Sequence, residues 1–365
     1  MKNKVLVTGS QGYIGSLLVP KLVKKGFQVV CYDTGFFRDS LLYSIDEHST
    51  IKGDMRYFPN EILNEVETVI HLASIANDPF GNLEYDKIYS PITEYSLSLA
   101  EECKKRKIRF IWPSSCSVYG IGDGLLSETS ELNPQTPYSQ NKVDFEEELE
   151  ALCDKNFTPI VLRLCTLYGL SPRIRFDLVV NMFSGMGFTK KEIILNSDGK
   201  SWRPLVHIDD VCQALIKCIG KELLIKKHKE VSKPLIINVG SSKENYQIRE
   251  LARIASELIG ECRVSFLADK PTSSASSKFK DQNIKDGVDV RTYKVSFDKI
   301  LEFIPTFKPN YDIKKGISQM INKFEEINLS FEEFSSYKYY RLKTMDYLFN
   351  DGKINEELNW NNNEI

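Results

Sequence analysis

Short apolar segments alternate with longer amphipathic segments along the chain. The segments with the β-branched, apolar character of strands are Lys4–Thr8, Gln28–Tyr32, Thr50–Lys52, Thr68–Leu72, Arg109–Trp112, Pro159–Cys165 and Leu235–Val239. Helices are predicted at Ser16–Lys25, Glu84–Arg106, Tyr138–Asp154 and Asp209–Gly220. This alternation predicts an α/β fold in which helices cover both faces of a parallel sheet.

The pattern changes after Thr166. Two arginines enter an irregular segment at 169–176, and Asn196–Lys200 has the composition of a hairpin turn. Residues 272–289, rich in Ser, Lys and Asp, are predicted to form an exposed loop. Beyond Pro309 two helices are predicted, at Ile313–Ile327 and Phe331–Leu348, before an asparagine-rich tail. The second half is therefore expected to build a smaller lobe and an extension.

Composition narrows the class of protein. The 365 residues suit two coupled lobes, and a net charge of -2 gives no electrostatic case for nucleic acid. The eight cysteines include no C-x-x-C and no histidine cluster, so neither a metal site nor a disulfide framework is indicated. A strand by residue 4 and no apolar run near membrane-spanning length predict a cytoplasmic protein without membrane contact.

A glycine turn follows the first strand, with the spacing G-x-x-G-x-x-G. Such a turn lets the backbone approach a pyrophosphate at a helix N-terminus, although glycine-rich turns also occur in other α/β proteins. The predicted cofactor contacts here are Gly9, Gln11, Gly12, Tyr13, Ile14 and Gly15. Asp33 ends the second strand, where a carboxylate accepts from a ribose diol and repels a 2′-phosphate. NAD is therefore favoured over NADP.

Further cofactor contacts are predicted at the ends of the next strands. Asp54 is expected to reach the adenine amine, with Met55 beside it. Leu72, Ala73 and Ser74 follow another strand, and the small side chains of the last two suit a backbone lying against the dinucleotide.

Tyr138 and Lys142 are one helical turn apart, so their side chains share a face. A nearby ammonium favours the phenolate, which is what a tyrosine needs to act as a base near neutral pH. Ser115, some twenty residues earlier, would hydrogen-bond the same substrate hydroxyl. The alternative is an ordinary Tyr/Lys pair on a solvated helix face.

Taken together, these residues resemble the extended short-chain dehydrogenase/reductase family, the NAD-dependent epimerases and dehydratases of nucleotide sugars. The resemblance covers roughly residues 4 to 310, and further landmarks are His71-Leu72-Ala73, Ser114 to Gly120, Arg163 to Gly169, Arg203 to Val211 and Asp289-Val290-Arg291. It implies a Rossmann-type doubly wound parallel sheet with a smaller α/β substrate lobe interleaved in sequence. It also implies bound NAD, a nucleotide-diphosphate sugar substrate and a homodimer formed through the Glu84–Arg106 and Tyr138–Asp154 helices.

The resemblance also sets the expected lobes and substrate contacts. Residues 1–165 with 202–240 would form the NAD-binding lobe, 166–201 with 241–328 the sugar-nucleotide lobe, and 329–365 a C-terminal helical extension. The expected substrate contacts are Ser115, Ser117, Thr166, Arg173, Arg175, Asn181, Arg203 and Arg291. Bidentate guanidinium groups suit a diphosphate. The alternative for Arg173 and Arg175 is a solvated loop charge, and the alternative for Arg203 and Arg291 is an ion pair with a neighbouring carboxylate.

In the reaction that the resemblance implies, Tyr138 removes a proton from a sugar hydroxyl as hydride passes to NAD, Ser115 holds the oxyanion, and Lys142 lowers the pKa of the tyrosine and grips the nicotinamide ribose. Family members that dehydrate usually carry an Asp-Glu pair after the catalytic Ser or Thr, whereas this chain has Cys116 and Ser117. An epimerase, most simply at C4, is therefore favoured.

Several alternatives stay open. They are a 4-reductase or dehydrogenase, a 4,6-dehydratase, and a non-catalytic NAD-binding scaffold. A 3,5-epimerase would use a cysteine acid/base, but Cys116 is one position too early and is expected to be packing. Ser90 occupies the place of an asparagine that many members use to order a water or backbone group.

Overall fold

The computed structural model describes residues 3–46, 48–76, 85–220, 222–228, 230, 232–266 and 291–361. The side chains of 85–88 are not included in this description. The turn expected at 77–79 and the loop expected at 272–289 lie outside the described residues. No helix in these ranges is both long and apolar enough to cross a membrane.

A seven-stranded parallel sheet forms the centre of the molecule. Its strands are β1 (Lys4–Thr8), β2 (Gln28–Asp33), β3 (Thr50–Lys52), β4 (Thr68–His71), β5 (Arg109–Ser115), β7 (Ile160–Leu164) and β11 (Leu235–Val239). Their order is β11-β7-β5-β4-β1-β2-β3, so the direction of winding reverses between β1 and β4. Ligands bind outside the carboxyl ends of strands at such a switch point. The predicted doubly wound fold is confirmed.

Helices cover both faces of this sheet. They are α1 (Gly15–Lys24), α2 (Tyr85–Arg106), α3 (Pro137–Leu152), α5 (Ile208–Ile219) and the short α7 (Asp298–Phe303). Alternate residues of β1 point to opposite faces: Val5 and Val7 belong to one apolar cluster and Leu6 to another, all without solvent exposure. Burial on both faces explains why the strands are almost continuously apolar.

A second lobe stands over the carboxyl ends of the central strands. Three small sheets build it: β8 (Thr166–Tyr168) with β10 (Trp202–His207) and β12 (Asn245–Gln247), β9 (Glu192–Leu195) with β13 (Arg263–Phe266), and β6 (Ile121–Leu126) with β14 (Thr292–Val295). Its helices are α4 (Val179–Lys190), α6 (Ile248–Ile259) and α8 (Ile313–Glu326), which pack together around one apolar cluster.

Two expectations about this lobe are corrected. The turn at Asn196–Lys200 does not form a hairpin, because β9 pairs with β13 while β10 pairs with β8 and β12. A positive φ of 68° at Gly199 still turns the chain there. Because β10 lies in the same sheet as β8, the lobe boundary expected at residue 202 falls after β10 and before α5.

The single helix predicted over Phe331–Leu348 is also wrong. The chain instead forms α9 (Phe331–Ser335), a 3-10 turn and α10 (Arg341–Asn350). Ser336 is extended, with ψ 144°, and its hydroxyl accepts from the amide of Lys338. The carbonyl of Tyr339 accepts from the amide of Phe176, 3.0 Å away. A hydrogen bond to a distant loop thus replaces the helical bond that periodicity predicts.

Candidate active site

One large cavity, of about 610 Å³, opens at the carboxyl ends of the central strands. Its walls include residues that directly follow or end β1, β2, β4 and β5, namely Gly9, Asp33, Leu72 and Ser115. The opposite wall belongs to the second lobe and includes Thr166 and Arg203. The volume lies within the range typical of ligand and cofactor sites.

Two glycines of the turn, Gly9 and Gly15, have no room for a side chain. Gly9 has φ +68°, and a Cβ on it would lie 2.7 Å from the backbone nitrogen of Ala73. A Cβ on Gly15 would collide with the carbonyl oxygens of Gly9 and Ser10. Helix α1 begins at Gly15, so its N-terminal amides face the cavity. This backbone surface fits the diphosphate of a dinucleotide.

Asp33 is positioned by two backbone donors. Its Oδ2 accepts from the amide of Gln11 at 2.9 Å and its Oδ1 from that of Gly35 at 2.7 Å. Burial raises the pKa of this carboxyl, and the two amides oppose the rise. Asp33 lines the cavity next to the glycine turn, where a ribose diol would be expected. The carboxylate therefore fits the ribose of NAD, whereas Gln11, a predicted cofactor contact, does not line the main cavity and acts here only by positioning Asp33 through its amide.

Asp54 and Met55 also line the cavity, but the carboxylate of Asp54 is already engaged. Arg56 donates to it through its amide, 2.8 Å, and through its guanidinium. The same guanidinium donates to the carbonyl of Glu357 and to the side chain of Asn359. If Asp54 binds the adenine amine as predicted, its carboxylate must accept from the amine and from Arg56 at the same time.

Tyr13 and Asn181 form hydrogen bonds that connect the glycine turn to the segment after β8. The Tyr13 hydroxyl donates to the carbonyl of Gly169 at 2.6 Å, and burial raises its pKa. Asn181 is fully buried, donates to Tyr13 and to the carbonyl of Arg175, and accepts from the amide of Gly169. Tyr13 and Ile14 line the cavity, whereas Asn181 does not. The structure therefore gives Asn181 a bracing position instead of the predicted substrate contact.

Ser115, Tyr138 and Lys142 line the same part of the cavity. Ser115 ends β5, and its Oγ accepts from the amide of Ser117 at 3.1 Å. A capping box between Thr136 and Ser139 fixes the start of α3, which places Tyr138 in its first turn. The ring centroid of Tyr138 is 5.5 Å from the Nζ of Lys142. The i, i+4 spacing thus brings phenol and ammonium together as predicted.

Lys142 is only 3% exposed. Its Nζ lies 4.5 Å from the centroid of the Trp112 ring and donates to the carbonyl of Pro113 at 3.4 Å. Burial lowers its pKa to about 7, and the charge of Glu146 opposes this fall. The ammonium is therefore poorly solvated without a bound anion or phenolate.

A buried polar network supports these residues from behind and was not predicted. Ser114 donates to Glu146 at 2.6 Å, and Glu146 pairs with Arg163 through both oxygens. Arg163 donates to the hydroxyl of Tyr119, which donates to Asn238, each at 2.9 Å. Glu146 is one helical turn after Lys142, a sequence signal that could have suggested the link.

Cys116 and Ser117 differ in their surroundings. Cys116 is fully buried, and its thiol donates to the carbonyl of Arg163 at 3.3 Å and lies 3.4 Å from the sulfur of Cys165. Cys116 does not line the cavity, whereas Ser117 does. The buried Oγ atoms of Ser117 and Ser74 have no hydrogen-bond partner among the described residues. Both hydroxyls are therefore suited to a ligand.

The predicted substrate arginines divide into two groups. Arg175, Arg203 and Arg291 line the cavity together with Thr166. Arg175 is paired with Asp177 at 2.9 Å and donates to the carbonyl of Ala76 at 2.8 Å, an ion pair that was not predicted for this residue. Arg203 donates to the carbonyls of Trp202 and Arg291.

The predicted position of Arg173 at the substrate diphosphate is corrected. It is 3% exposed and donates to the carbonyls of Phe37 and Arg38 at 3.1 and 3.2 Å. It does not line the main cavity. The irregular segment instead turns its guanidinium toward the loop after β2, so the structure does not bring Arg173 to the expected substrate diphosphate.

The C-terminal extension adds cavity residues that the sequence did not reveal. They are Arg341, Met345, Glu357 and Leu358. The extension also holds the loops after β2 and β3: the indole of Trp360 donates to the carbonyl of Thr34 at 2.8 Å. No local motif marks these positions, because each contact joins residues about three hundred positions apart.

The sheet, the glycine turn and the Ser–Tyr–Lys set together define an NAD-binding α/β enzyme of the short-chain dehydrogenase/reductase class. The chain belongs to the NAD dependent epimerase/dehydratase family, whose model matches residues 5–240. The recognition of the family from its sequence motifs, and of NAD as the cofactor, is confirmed.

Individual relatives are distant. An uncharacterized UDP-glucose epimerase of Bacillus subtilis (strain 168) is 25% identical over 295 residues, which cover 76% of this chain and 89% of that protein. A putative UDP-glucose 4-epimerase of Methanocaldococcus jannaschii is 26% identical over 336 residues, covering 89% and 99%. A dTDP-D-glucose 4,6-dehydratase of Dictyostelium discoideum is 26% identical over 250 residues, covering 58% and 54%.

Solved structures share the fold. A UDP-glucuronic acid 4-epimerase from Bacillus cereus, in complex with UDP-glucuronic acid and NAD, gives a TM-score of 0.69 at 22% identity and covers 89% of this chain and 99% of that one. An NAD dependent NDP-hexosamine 5,6-dehydratase of tunicamycin biosynthesis gives 0.72 at 21% identity, covering 89% and 98%. Proteins with this fold therefore include both epimerases and dehydratases.

Proposed function

We propose that this protein is an NAD-dependent nucleotide-sugar epimerase, acting most simply at C4 through a transient keto-sugar. The observation that carries the proposal is that Ser115, Tyr138 and Lys142 line one cavity whose other end holds the glycine turn and Asp33. This arrangement suits a reaction in which a sugar hydroxyl is oxidised and the resulting ketone is reduced again within one site.

Each residue has a chemical role in the proposal. NAD, when bound, supplies reversible hydride transfer. Tyr138 as phenolate takes the proton of the sugar hydroxyl and later returns it, while the Ser115 hydroxyl donates to the same oxygen. Lys142 stabilises the phenolate, and the phenolate in turn favours the protonated lysine, which offsets the effect of burial on the pKa of Lys142.

The residues after Ser115 support epimerisation over dehydration. Removing water from a sugar needs an acid and a base beside the ketone, and positions 116 and 117 hold a buried thiol and a hydroxyl. Cys116 faces the Arg163 carbonyl and Cys165 instead of the cavity, which also argues against a cysteine acid/base. The relatives include both reaction types, so this local chemistry is what favours the epimerase.

The substrate half belongs to the proposal as well. Arg203 and Arg291 would bind the diphosphate of the nucleotide sugar, with Thr166 and Ser117 near the sugar and Arg175 held at the rim by Asp177. The NAD-binding lobe and the sugar-nucleotide lobe would form the two walls of the cavity. A homodimer formed through α2 and α3 is proposed on the same family grounds, and analytical ultracentrifugation would test it.

Incubation with UDP-, GDP-, CDP- and dTDP-sugars, followed by NMR, tests the reaction. We expect an epimer without net NADH release, and a loss of about 10²–10⁴-fold in turnover for Tyr138→Phe. Wild-type turnover in that variant would show that Tyr138 is not the base. Stoichiometric NADH consumption or release would indicate a reductase or dehydrogenase. NAD binding with every nucleotide sugar unchanged would indicate the scaffold.

A further inference from the structure

Arg341, in the first turn of α10, is buried in the wall of the cavity with an unsatisfied guanidinium nitrogen. The residue is 5% exposed, and its Nη1 has no hydrogen-bond partner among the described residues. Its guanidinium carbon lies 3.8 Å from the centroid of the Phe37 ring. A buried donor left without an acceptor costs free energy, so its presence at a cavity wall points to a ligand that accepts from it.

The charges around Arg341 leave room for an anion. Its electrostatic neighbours are the guanidinium groups of Arg175 and Arg173 and the carboxylates of Asp177 and Asp33. Asp177 is already paired with Arg175, and Asp33 accepts from two backbone amides. Burial, followed by the charge of Arg175, lowers the pKa of Arg341 to about 9, and the charges of Asp177 and Asp33 oppose this fall.

The position of Arg341 in the cavity identifies which anion fits. Phe37 lies four residues after Asp33, at the end of the cavity formed by the glycine turn. Arg203 and Arg291, which are proposed to bind the diphosphate of the sugar nucleotide, are instead next to Tyr293 and β14, whereas Arg175 is an electrostatic neighbour of Arg341. Asp33, another such neighbour, accepts from the Gln11 amide of the glycine turn, so a dinucleotide bound along this turn would lie near the Arg341 guanidinium.

We infer that the C-terminal extension supplies Arg341 as a ligand of the dinucleotide diphosphate, and so closes the cofactor between the glycine turn and α10. Other contacts of the extension hold it in place at this end: Trp360 donates to Thr34, and Arg56 donates to the carbonyl of Glu357. The function of this wall is retention of NAD. An enzyme that regenerates its cofactor in each turnover gains from a cofactor that does not leave.

Arg341→Met tests the inference, because methionine keeps much of the unbranched apolar stem while it removes the charge and the donors. Lys343→Met is the matched control, since it removes one charge from an exposed position on the same helix. The readouts are the Kd values of the purified apo protein for NAD, ADP-ribose, adenosine and UDP, measured by calorimetry, and the thermal midpoint with and without NAD. None of these needs the sugar reaction, so the result is independent of the proposed epimerase activity.

The expected result for Arg341→Met is a rise of at least about tenfold in Kd for NAD and ADP-ribose, with adenosine, UDP and the Lys343→Met control unchanged. The apo variant should be at least as thermostable as wild type, because an uncompensated buried charge is gone, while its stabilisation by NAD falls. Arg341→Lys keeps a positive charge but loses the planar pair of guanidinium donors, and should bind NAD with intermediate affinity.

Three results would overturn the inference. Unchanged NAD affinity in Arg341→Met would show that the guanidinium does not contact the cofactor. Weaker UDP binding with unchanged NAD binding would assign Arg341 to the substrate diphosphate. Equal losses for adenosine and NAD, together with a lower apo midpoint, would make the residue purely structural. If Arg341→Met fails to fold, the same comparisons are made with Arg341→Lys, and NAD affinity equal to wild type would then reject the assignment.

Discussion

The Nζ atom of Lys142 lies 3.4 Å from the carbonyl oxygen of Pro113, so the ammonium on α3 contacts the end of strand β5 directly. Two residues further along β5 the chain reaches Ser115. This contact fixes the distance between the strand that carries the serine and the helix that carries Tyr138. The proposed catalytic set is thus held by a sheet-to-helix contact as well as by helical spacing.

Burial of Lys142 predicts a pH-dependent stability. The folded-state pKa is lowered to about 7 and the unfolded value is about 10.4, so between these pH values only the unfolded chain holds the proton. The free-energy cost of burying the charged Lys142 is fully present below about pH 7 and falls as pH rises. This lysine therefore makes the free energy of unfolding increase with pH. We expect Lys142→Met to remove that rise from urea unfolding curves of the apo protein measured between pH 7 and 10.

The control for this experiment is Lys243→Met, at an exposed lysine of the second lobe. Its pH dependence should match that of wild type. If the stability of Lys142→Met followed the same pH curve as wild type, Lys142 would not be charged at a cost in the folded protein, and its burial would need another explanation.

A methyl group on Gly9 is expected to close the cofactor turn. Gly9 and Gly26 both have positive φ, 68° and 86°, so Ala at either position costs about 1 kcal/mol of conformational strain. A Cβ at Gly9 would also lie 2.7 Å from the Ala73 nitrogen, whereas one at Gly26 would meet nothing within 4 Å. Gly9→Ala should therefore lose more stability and also lose NAD binding.

Calorimetric titration with NAD and thermal melts of the two variants measure this difference. Gly26→Ala should keep wild-type affinity for NAD and show only the strain. Equal losses in both variants would mean that φ alone decides the effect, and not the approach of the turn to Ala73 in the segment that follows β4.

Cys116→Ala is expected to leave turnover unchanged and to cost about 1 kcal/mol of stability, because the thiol packs in the core and does not line the cavity. The NMR assay for epimerisation and a urea melt provide the two measurements. A large loss of turnover in a folded Cys116→Ala protein would restore the cysteine acid/base hypothesis.

The buried pair of Glu146 and Arg163 supports the site by position. Glu146→Gln is expected to destabilise the protein by about 3–5 kcal/mol, since it leaves a buried guanidinium uncompensated. Replacing both residues with methionine should recover much of that loss. Ser114→Ala, which removes only one donor to Glu146, should cost about 1 kcal/mol.

Urea unfolding of wild type, Glu146→Met, Arg163→Met and the double methionine variant gives the coupling between the two charges. A double variant as unstable as the sum of its single changes would show that the ion pair contributes little beyond its separate side chains.

Local sequence patterns were enough to predict the central sheet, and they predicted the glycine turn and Asp33 that line one part of the cavity. The strand predicted at Lys4–Thr8 has these bounds in the structure, and the other central strands differ by a few residues at most. Local chemistry explains this success, because apolar runs, the glycine spacing and the i, i+4 spacing of Tyr138 and Lys142 all act within a few residues. The same locality explains why Asp33 and Ser115 were placed correctly at strand ends.

The distant side chains that line the cavity could not be predicted, because their positions depend on contacts between separate elements. Arg173 and Asn181 were expected at the substrate, but contacts with Phe37 and Tyr13, more than a hundred residues away in sequence, draw them elsewhere. Arg341 had no motif, yet folding of the extension across the cavity buries it there. Periodicity reports which face of an element is apolar, while the partner of a buried polar group depends on how separate elements meet in space.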